Sequence, residues 1–435
     1  MARPRIPTPR LRRPALPEPV LQILRSLGLP ATEIGRYWSQ EARSIRASAA
    51  ALGVGLAATL VAGMVLGGAR DSLVANPGLL VLIPAAIGMR GSLFGSLAAR
   101  LGTGILTGQM GDELSRDSWV GHQVRATILL TVSTAAEAGV IAWLVSSMFG
   151  LRVMSMLDLV AVSVVGGLLA SAVLLGVTVA MARSSRTSGW SMDDVGAPTI
   201  TATGDLVTLP ALLLATTLLR IPVLPAVVGV VGIVAAVVAA VVGWRDDDQT
   251  VARIVRESLI VLTVAVTIDV LAGVVMDTRL DSLLGNPALF VMIPPFVAAC
   301  GSLGGMLSSR MASKLHMGSM LPRAWPTREA GLDISMTFLL GLLAFMGVGG
   351  VGWVGAQLAG MAPPPMWQLL LVANLGGFMA TVILSAVAYV AAVAAFQFGL
   401  DPDNHGIPIV TASMDLLGIL CLVAAIGLVG LGGTQ

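Results

Sequence analysis

Of the 435 residues, 56% are hydrophobic and only 11% are charged, with a formal net charge of +2. So apolar and sparsely charged a chain falls outside the soluble globular class, in which about 25% of residues are charged. The small net charge says little about partners; lipid is expected to be the main one, and no nucleic-acid partner is expected.

Residues 1–46 carry Arg3, Arg5, Arg10, Arg12 and Arg13 among several prolines, with no apolar core close behind. This excludes a cleavable signal peptide and reads as a basic, largely disordered cytoplasmic arm. The apolar patch near Leu21–Leu29 is expected to rest on anionic lipid headgroups, and removal of residues 1–35 to leave function nearly intact. Apolar runs of about 20 residues, enough to cross a hydrocarbon core of about 30 Å, then follow one another. They lie near 48–68, 77–98, 123–147, 157–182 and 198–219, then 257–276, 287–309, 331–359, 367–396 and 408–431. An extra uncharged stretch at 222–243 stands between the two sets. Strand alternation is missing, so the fold class is all-α integral membrane with about 11 transmembrane helices.

The two sets are copies of one another. The segment NPGLLVLIPAAIGMRGS begins at Asn76 and NPALFVMIPPFVAACGS at Asn286, 210 positions later. The same offset maps Pro84 onto Pro294, Gly91 onto Gly301, Arg100 onto Arg310, Pro198 onto Pro408 and Asp205 onto Asp415. A register held so far along the chain indicates tandem duplication. The expected organisation is an arm (1–46), a first five-helix repeat (47–220), a linker helix with its loop (221–256) and a second five-helix repeat (257–435). Five spans plus one linker span return the chain to its starting side, so the repeats are expected to be parallel, related by a pseudo-twofold axis along the membrane normal. Of the 26 Lys and Arg residues, only Arg70, Arg152, Arg220 and Arg279 fall in outer loops, and Arg90 lies inside a span. That bias predicts a cytoplasmic N-terminus and an extracellular C-terminus.

Asp205 and Asp415 stand about seven residues, roughly 10 Å, inside helices that open near a proline. A carboxylate at that depth needs a pore, a partner or an ion. Thr201 and Thr411 lie one turn earlier on the same faces, so each repeat offers a hydroxyl with a carboxylate. Two such carboxylates meeting across an axis suit a hard dication that keeps several waters. The preceding segments, SMDDVGAP with Asp194 and DPDNHGIP with Asp401, Asp403 and Asn404, read as loops at the inner mouth. They serve equally as ligand-bearing loops or as ordinary turns with helix caps. Prolines and glycines in the second spans (Pro84, Gly88 and Gly91; Pro294, Pro295 and Gly301) predict broken helices with free carbonyls at mid-membrane. Gly91, Ser92, Gly301 and Ser302, with Asn76 and Asn286 at the starts of these spans, are the expected pore-lining residues. Arg90, Glu137 and Asp269 are further intramembrane charges whose pairing the sequence does not disclose. His122, His316 and His405 do not cluster, which argues against zinc, and Cys300 and Cys421 read as small buried hydrophobes.

These residues resemble the magnesium transporters of solute carrier family 41 and the membrane domain of bacterial MgtE. The match rests on DPDNHGIPIVTASMDLL at Asp401–Leu417, its first-half equivalent DVGAPTITATGDL at Asp194–Leu206, and the Gly-Ser pairs that follow Pro84 and Pro294. In that family two five-span subunits form a parallel dimer with a magnesium pore on the axis, and eukaryotic relatives fuse the halves. By the resemblance, Asp205 and Asp415 correspond to the pore aspartate and Asp401 to an acidic residue at the cytoplasmic mouth. The chain departs from the family pattern where Ser92 and Ser302 replace an asparagine, and where Ser191 replaces the first aspartate of the DPDN loop. The family's soluble regulatory domains have no counterpart in the residues before the first span. The implied function is transport of a divalent cation, Mg2+ first, by a single pseudo-dimeric chain in the plasma membrane, with no need for a homo-oligomer. A sodium- or proton-coupled exchanger using the same site is the alternative. An intramembrane aspartyl protease is remote, because Asp205 lacks the first glycine of a GxGD motif. The chain is not expected to be an enzyme.

Overall fold

The computed structural model describes residues 30–111, 115, 118–188, 192–279, 286, 288–399 and 406–431, and of residues 106, 192–198 and 407 the backbone alone. Among the described residues there is no strand, and 11 helices are long and apolar enough to cross a membrane. In chain order the helices are α1 (Ala31–Gln40), α2 (Ala42–Gly68), α3 (Arg70–Ala75), α4 (Leu79–Leu106), α5 (Trp119–Met148), α6 (Met156–Ser188) and α7 (Met192–Ala215). They continue with α8 (Leu224–Trp244), α9 (Gln249–Asp277), α10 (Ala288–His316), α11 (Arg328–Leu358), α12 (Met366–Phe398) and α13 (Ile407–Val429). All but α1 and the short α3 are of spanning length.

The helices outrun the apolar stretches that predict them. The α9 helix opens at Gln249, where the Asp248 side chain accepts from the N–H groups of Thr250 (2.8 Å) and Val251 (3.0 Å). Its first turns bury Val251 and Val255 while Arg253 and Arg256 face outward, so an amphipathic end joins an apolar middle.

Three expectations are corrected. The second spans are not broken: α4 runs on through Pro84 and α10 through Pro294 and Pro295. Each proline falls within about two turns of the helix start, where a missing N–H frees one carbonyl and the apolar run behind it carries the helix forward. Residues 192–198, including Asp194, are helical and open α7 instead of forming a loop. The arm is helical from Ala31 onward, with α1 docked on the bundle, so disorder up to residue 46 does not hold. Residues Leu21–Leu29 lie outside the described residues.

Small residues set how closely the helices cross. A Cβ added at Gly63 of α2 would fall 2.2 Å from the Val291 carbonyl oxygen of α10, and one at Gly273 of α9 would fall 2.2 Å from that of Val81 in α4. Both partners in these contacts differ by 210 positions. Pro295 also leaves the Val291 carbonyl without its own intrahelical donor, on the side that Gly63 covers. The first span of each half therefore packs on the second span of the other: α2 on α10, α9 on α4. Within each half, α6 packs on α7 and α12 on α13, while α4 packs on α7 and α10 on α13. The α8 helix lies against α5 and α6 and leaves Val227, Val230, Val231, Val234 and Val238 exposed, the surface of a lipid-facing helix.

The end of the bundle that holds α1 is rich in ion pairs. Tyr37 donates to Asp333 Oδ1 at 2.5 Å, and Trp38 Nε1 donates to Ser335 Oγ at 3.1 Å. Arg310 and Lys314 of α10 pair with the same Asp333 at 3.2 and 2.7 Å, and Arg310 reaches Glu41 at 3.2 Å. Burial first, and then Asp333, pushes the Tyr37 phenol above its ordinary range. Arg328 pairs with Glu33, Arg125 with Asp246 at 2.7 Å, and His122 with Asp248 at 3.3 Å.

Candidate functional site

Asp205 sits in the middle of α7 and is 4% exposed; its Oδ2 meets no hydrogen-bond donor among the described residues. Asp415 occupies the matching place in α13, behind Pro408 in the first turn. Its carboxylate lies in the seam between the halves. A Cβ at Gly88 of α4 would stand 3.2 Å from Asp415 Oδ2, and a Cβ at Gly301 of α10 would stand 3.8 Å from Asp415 Oδ1. One carboxylate thus rests between α4 and α10, the second spans that precede and follow the linker helix.

The other predicted residues fall into three groups. Thr411 is close by, since its Cβ and Cγ2 also lie 3.9 Å from the Gly301 position, and its hydroxyl donates to the Pro408 carbonyl at 3.0 Å. Thr201 is half-buried one turn before Asp205. Gly91 and Ser92 are half-exposed and Ser302 is exposed, and a Cβ at Gly91 would meet nothing within 4 Å, so these positions face open space. Asn76 and Asn286 belong elsewhere. Asn76 stands about 18 Å along the helix axis from Gly88 and donates from Nδ2 to the Ser72 carbonyl at 2.8 Å. Asn286 accepts the Leu289 N–H at its own carbonyl, 2.9 Å, and its Oδ1 is buried without a donor among the described residues. Asp194 is on the helical backbone of α7, and Asp401, Asp403 and Asn404 lie outside the described residues.

The three unassigned charges separate cleanly. Arg90, 0% exposed, turns from the seam into the first half: Nε donates to the Gly167 carbonyl of α6 at 3.4 Å and Nη1 to the Ala86 carbonyl of its own helix. Glu137 of α5 faces Thr263 of α9. Asp269 of α9 comes to the seam: the same added Cβ at Gly88 would lie 2.3 Å from Asp269 Oδ2. Asp269 is the residue that sequence reasoning left outside the site. Its signal was a charge deep in an apolar run, at a position where the other half carries Thr59. Among the described residues no three or more His, Cys, Asp or Glu enclose one bare ion. The site offers carboxylates where α4, α9, α10 and α13 come together, a donor set for a dication that keeps part of its water.

The sequence profile of the MgtE family, described as divalent cation transporters, matches residues 83–215 and again residues 293–425. The chain belongs to the MgtE family. The two matches are themselves 210 positions apart, the offset of the Gly63 and Gly273 contacts. Solute carrier family 41 member 3 of Rattus norvegicus is 25% identical over 364 residues, covering 78% of this chain and 77% of that protein. Solute carrier family 41 member 2 of Mus musculus is 25% identical over 380 residues, covering 79% of this chain and 63% of that protein. No solved structure matches the chain. As an MgtE-family protein it is an integral membrane divalent cation transporter and not an enzyme, which removes the protease reading.

Proposed function

We propose that this MgtE-family protein carries Mg2+ across the plasma membrane through a pathway between two parallel five-helix repeats, with Asp205 and Asp415 holding the ion. The observation that carries this reading is the seat of Asp415 between Gly88 of α4 and Gly301 of α10, where helices from the two halves meet. A carboxylate there is costly in an apolar medium unless an aqueous path or an ion reaches it. Two acidic groups with hydroxyls and open space suit magnesium, which sheds its water reluctantly and is usually held by one or two carboxylates. Gly91, Ser92 and Ser302, half-exposed or exposed on the same helices, would line the path. Asp194, Asp401, Asp403 and Asn404 would gather cations at the cytoplasmic mouth, and the single chain would act as its own pseudo-dimer.

The test is Mg2+ flux into proteoliposomes holding the full chain. Asp205→Asn and Asp415→Asn keep shape and remove one charge each, so each should raise the half-saturating concentration strongly and the double change should abolish flux. The second loss should be far less than additive, because the two groups act as one unit. Wild-type concentration dependence in both single variants would make these residues structural. Running the same vesicles with sodium or pH gradients separates a channel from an exchanger: flux that needs a sodium gradient assigns exchange.

A further inference from the structure

Asp269 is 1% exposed, and its carboxylate finds no partner among the described residues other than the Asp415 carboxyl. It faces a second carboxylate, Asp415, across the bare backbone of Gly88. Among the described residues no basic side chain forms an ion pair with either, and Arg90 points away to Gly167. Two carboxylates side by side, Asp269 buried and Asp415 half-buried, with no protein cation among the described residues, lack the compensation that such burial requires. A cation from solution would supply it.

The opposite side of the seam is built differently. At the position matching Asp269 the first half has Thr59, whose hydroxyl is used up on its own helix, donating to the Gly55 and Leu56 carbonyls at 3.0 and 3.2 Å. At the position matching Gly88 the second half has Ala298. A methyl group at 88 would stand 2.3 Å from Asp269 Oδ2, so the missing Cβ is what makes room for that carboxylate. Carboxylate and glycine occur together on one side, hydroxyl and alanine on the other.

We infer that Asp269 is a direct ligand of the transported dication, paired with Asp415, so that the site is lopsided. Two carboxylates come from the second half and one, Asp205, from the first. The inference rests on the pathway proposed above and adds a residue and an asymmetry to it. The Asp269–Asp415 pair meets the ordinary carboxylate requirement of magnesium by itself, and Asp205 then acts through its charge or through the ion's remaining waters.

The experiment measures Mg2+ binding to the purified full chain by titration calorimetry, and by the shift of melting temperature with added Mg2+, beside flux in proteoliposomes. Asp269→Asn should raise the Mg2+ dissociation constant by about tenfold or more, the cost of removing one charge from a desolvated site. Gly88→Ala changes no charge, yet it should weaken binding in the same direction by displacing Asp269, and combining the two changes should add little to either. Asp269→Asn and Gly88→Ala proteins that elute and melt normally but bind Mg2+ as wild type would overturn the inference. Should Asp269→Asn fail to fold, Gly88→Ala decides alone. Asp415→Asn runs in parallel: if it loses binding while Asp269→Asn does not, only this inference falls. If Asp415→Asn also binds as wild type, the pathway reading falls with it.

Discussion

Gly63 and Gly273 show how much of this molecule hangs on single missing methyl groups. At both positions a Cβ would collide with a main-chain oxygen of another helix, which cannot swing aside as a side chain can. Gly63→Ala and Gly273→Ala should each therefore lower stability by about 2 kcal/mol or more, read as loss of melting temperature in detergent. Gly176→Ala is the control. Nothing lies within 4 Å of that Cβ position, which sits inside α6, so the substitution should be neutral or stabilise by about 0.5 kcal/mol through helix propensity. Arg90 tests a different kind of residue. Its guanidinium is buried, and among the described residues it pairs with no carboxylate and Nη2 has no partner. Replacing a buried charge with an apolar side chain of similar length often costs nothing, so Arg90→Met should fold, keep its melting temperature within a few degrees and retain Mg2+ affinity. A tenfold loss of affinity in Arg90→Met would bring Arg90 into the site instead.

At the level of the helix, the ends carry the polar chemistry that the apolar middles lack. Backbone N–H groups, that of Val251 first, hold the Asp248 carboxyl below the usual carboxylate range, and His122 adds to this. The folded-state pKa is thus depressed. The cap's contribution to α9 is present above the unfolded value, near about 3.9, and is lost as pH falls through the folded value. Asp248→Ala should remove about 1 kcal/mol at neutral pH, seen as lower protection factors against hydrogen exchange at Thr250 and Val251, and should make those protection factors insensitive to acidification. The α1 helix gives a sharper contrast. Asp333 of α11 is buried beneath Tyr37, Arg310 and Lys314, so Asp333→Ala takes from Lys314 its carboxylate and leaves Arg310 with Glu41 alone, and should cost about 3 kcal/mol. The Glu33–Arg328 pair is more exposed, and Arg328→Ala should cost at most about 1 kcal/mol. Removing residues 1–29 should leave the melting temperature unchanged, whereas removing residues 1–40 should lower it. A cut at residue 35, which the basic composition of the arm makes look harmless, takes away the buried Ile34.

For the whole molecule, the proposed parallel arrangement predicts that tags on the two termini are protected on opposite sides of the membrane, with only the N-terminal one cytoplasmic. Protection of both on one side would break the count of spans. Much of this molecule is written in local pattern. Length of apolar run, the bias of arginines among the loops and the repeat from Asn76 to Asn286 specify eleven helices of spanning length, because in a bilayer every backbone polar group must be satisfied within its own helix. Asp205 and Asp415 were legible for the same reason: a charge in an apolar run has no bland explanation. Proline was misleading. Inside an apolar run it suggests a break in α4 and α10, but a proline near a helix start frees one carbonyl and leaves the helix whole. Helix packing alone decided the rest. Sequence spacing cannot say which helix faces which, so it could not show that the first span of each half crosses the second span of the other. Nor could it show that Asp269 reaches Asp415 across Gly88, a contact set by how closely two backbones approach where no side chain stands between them.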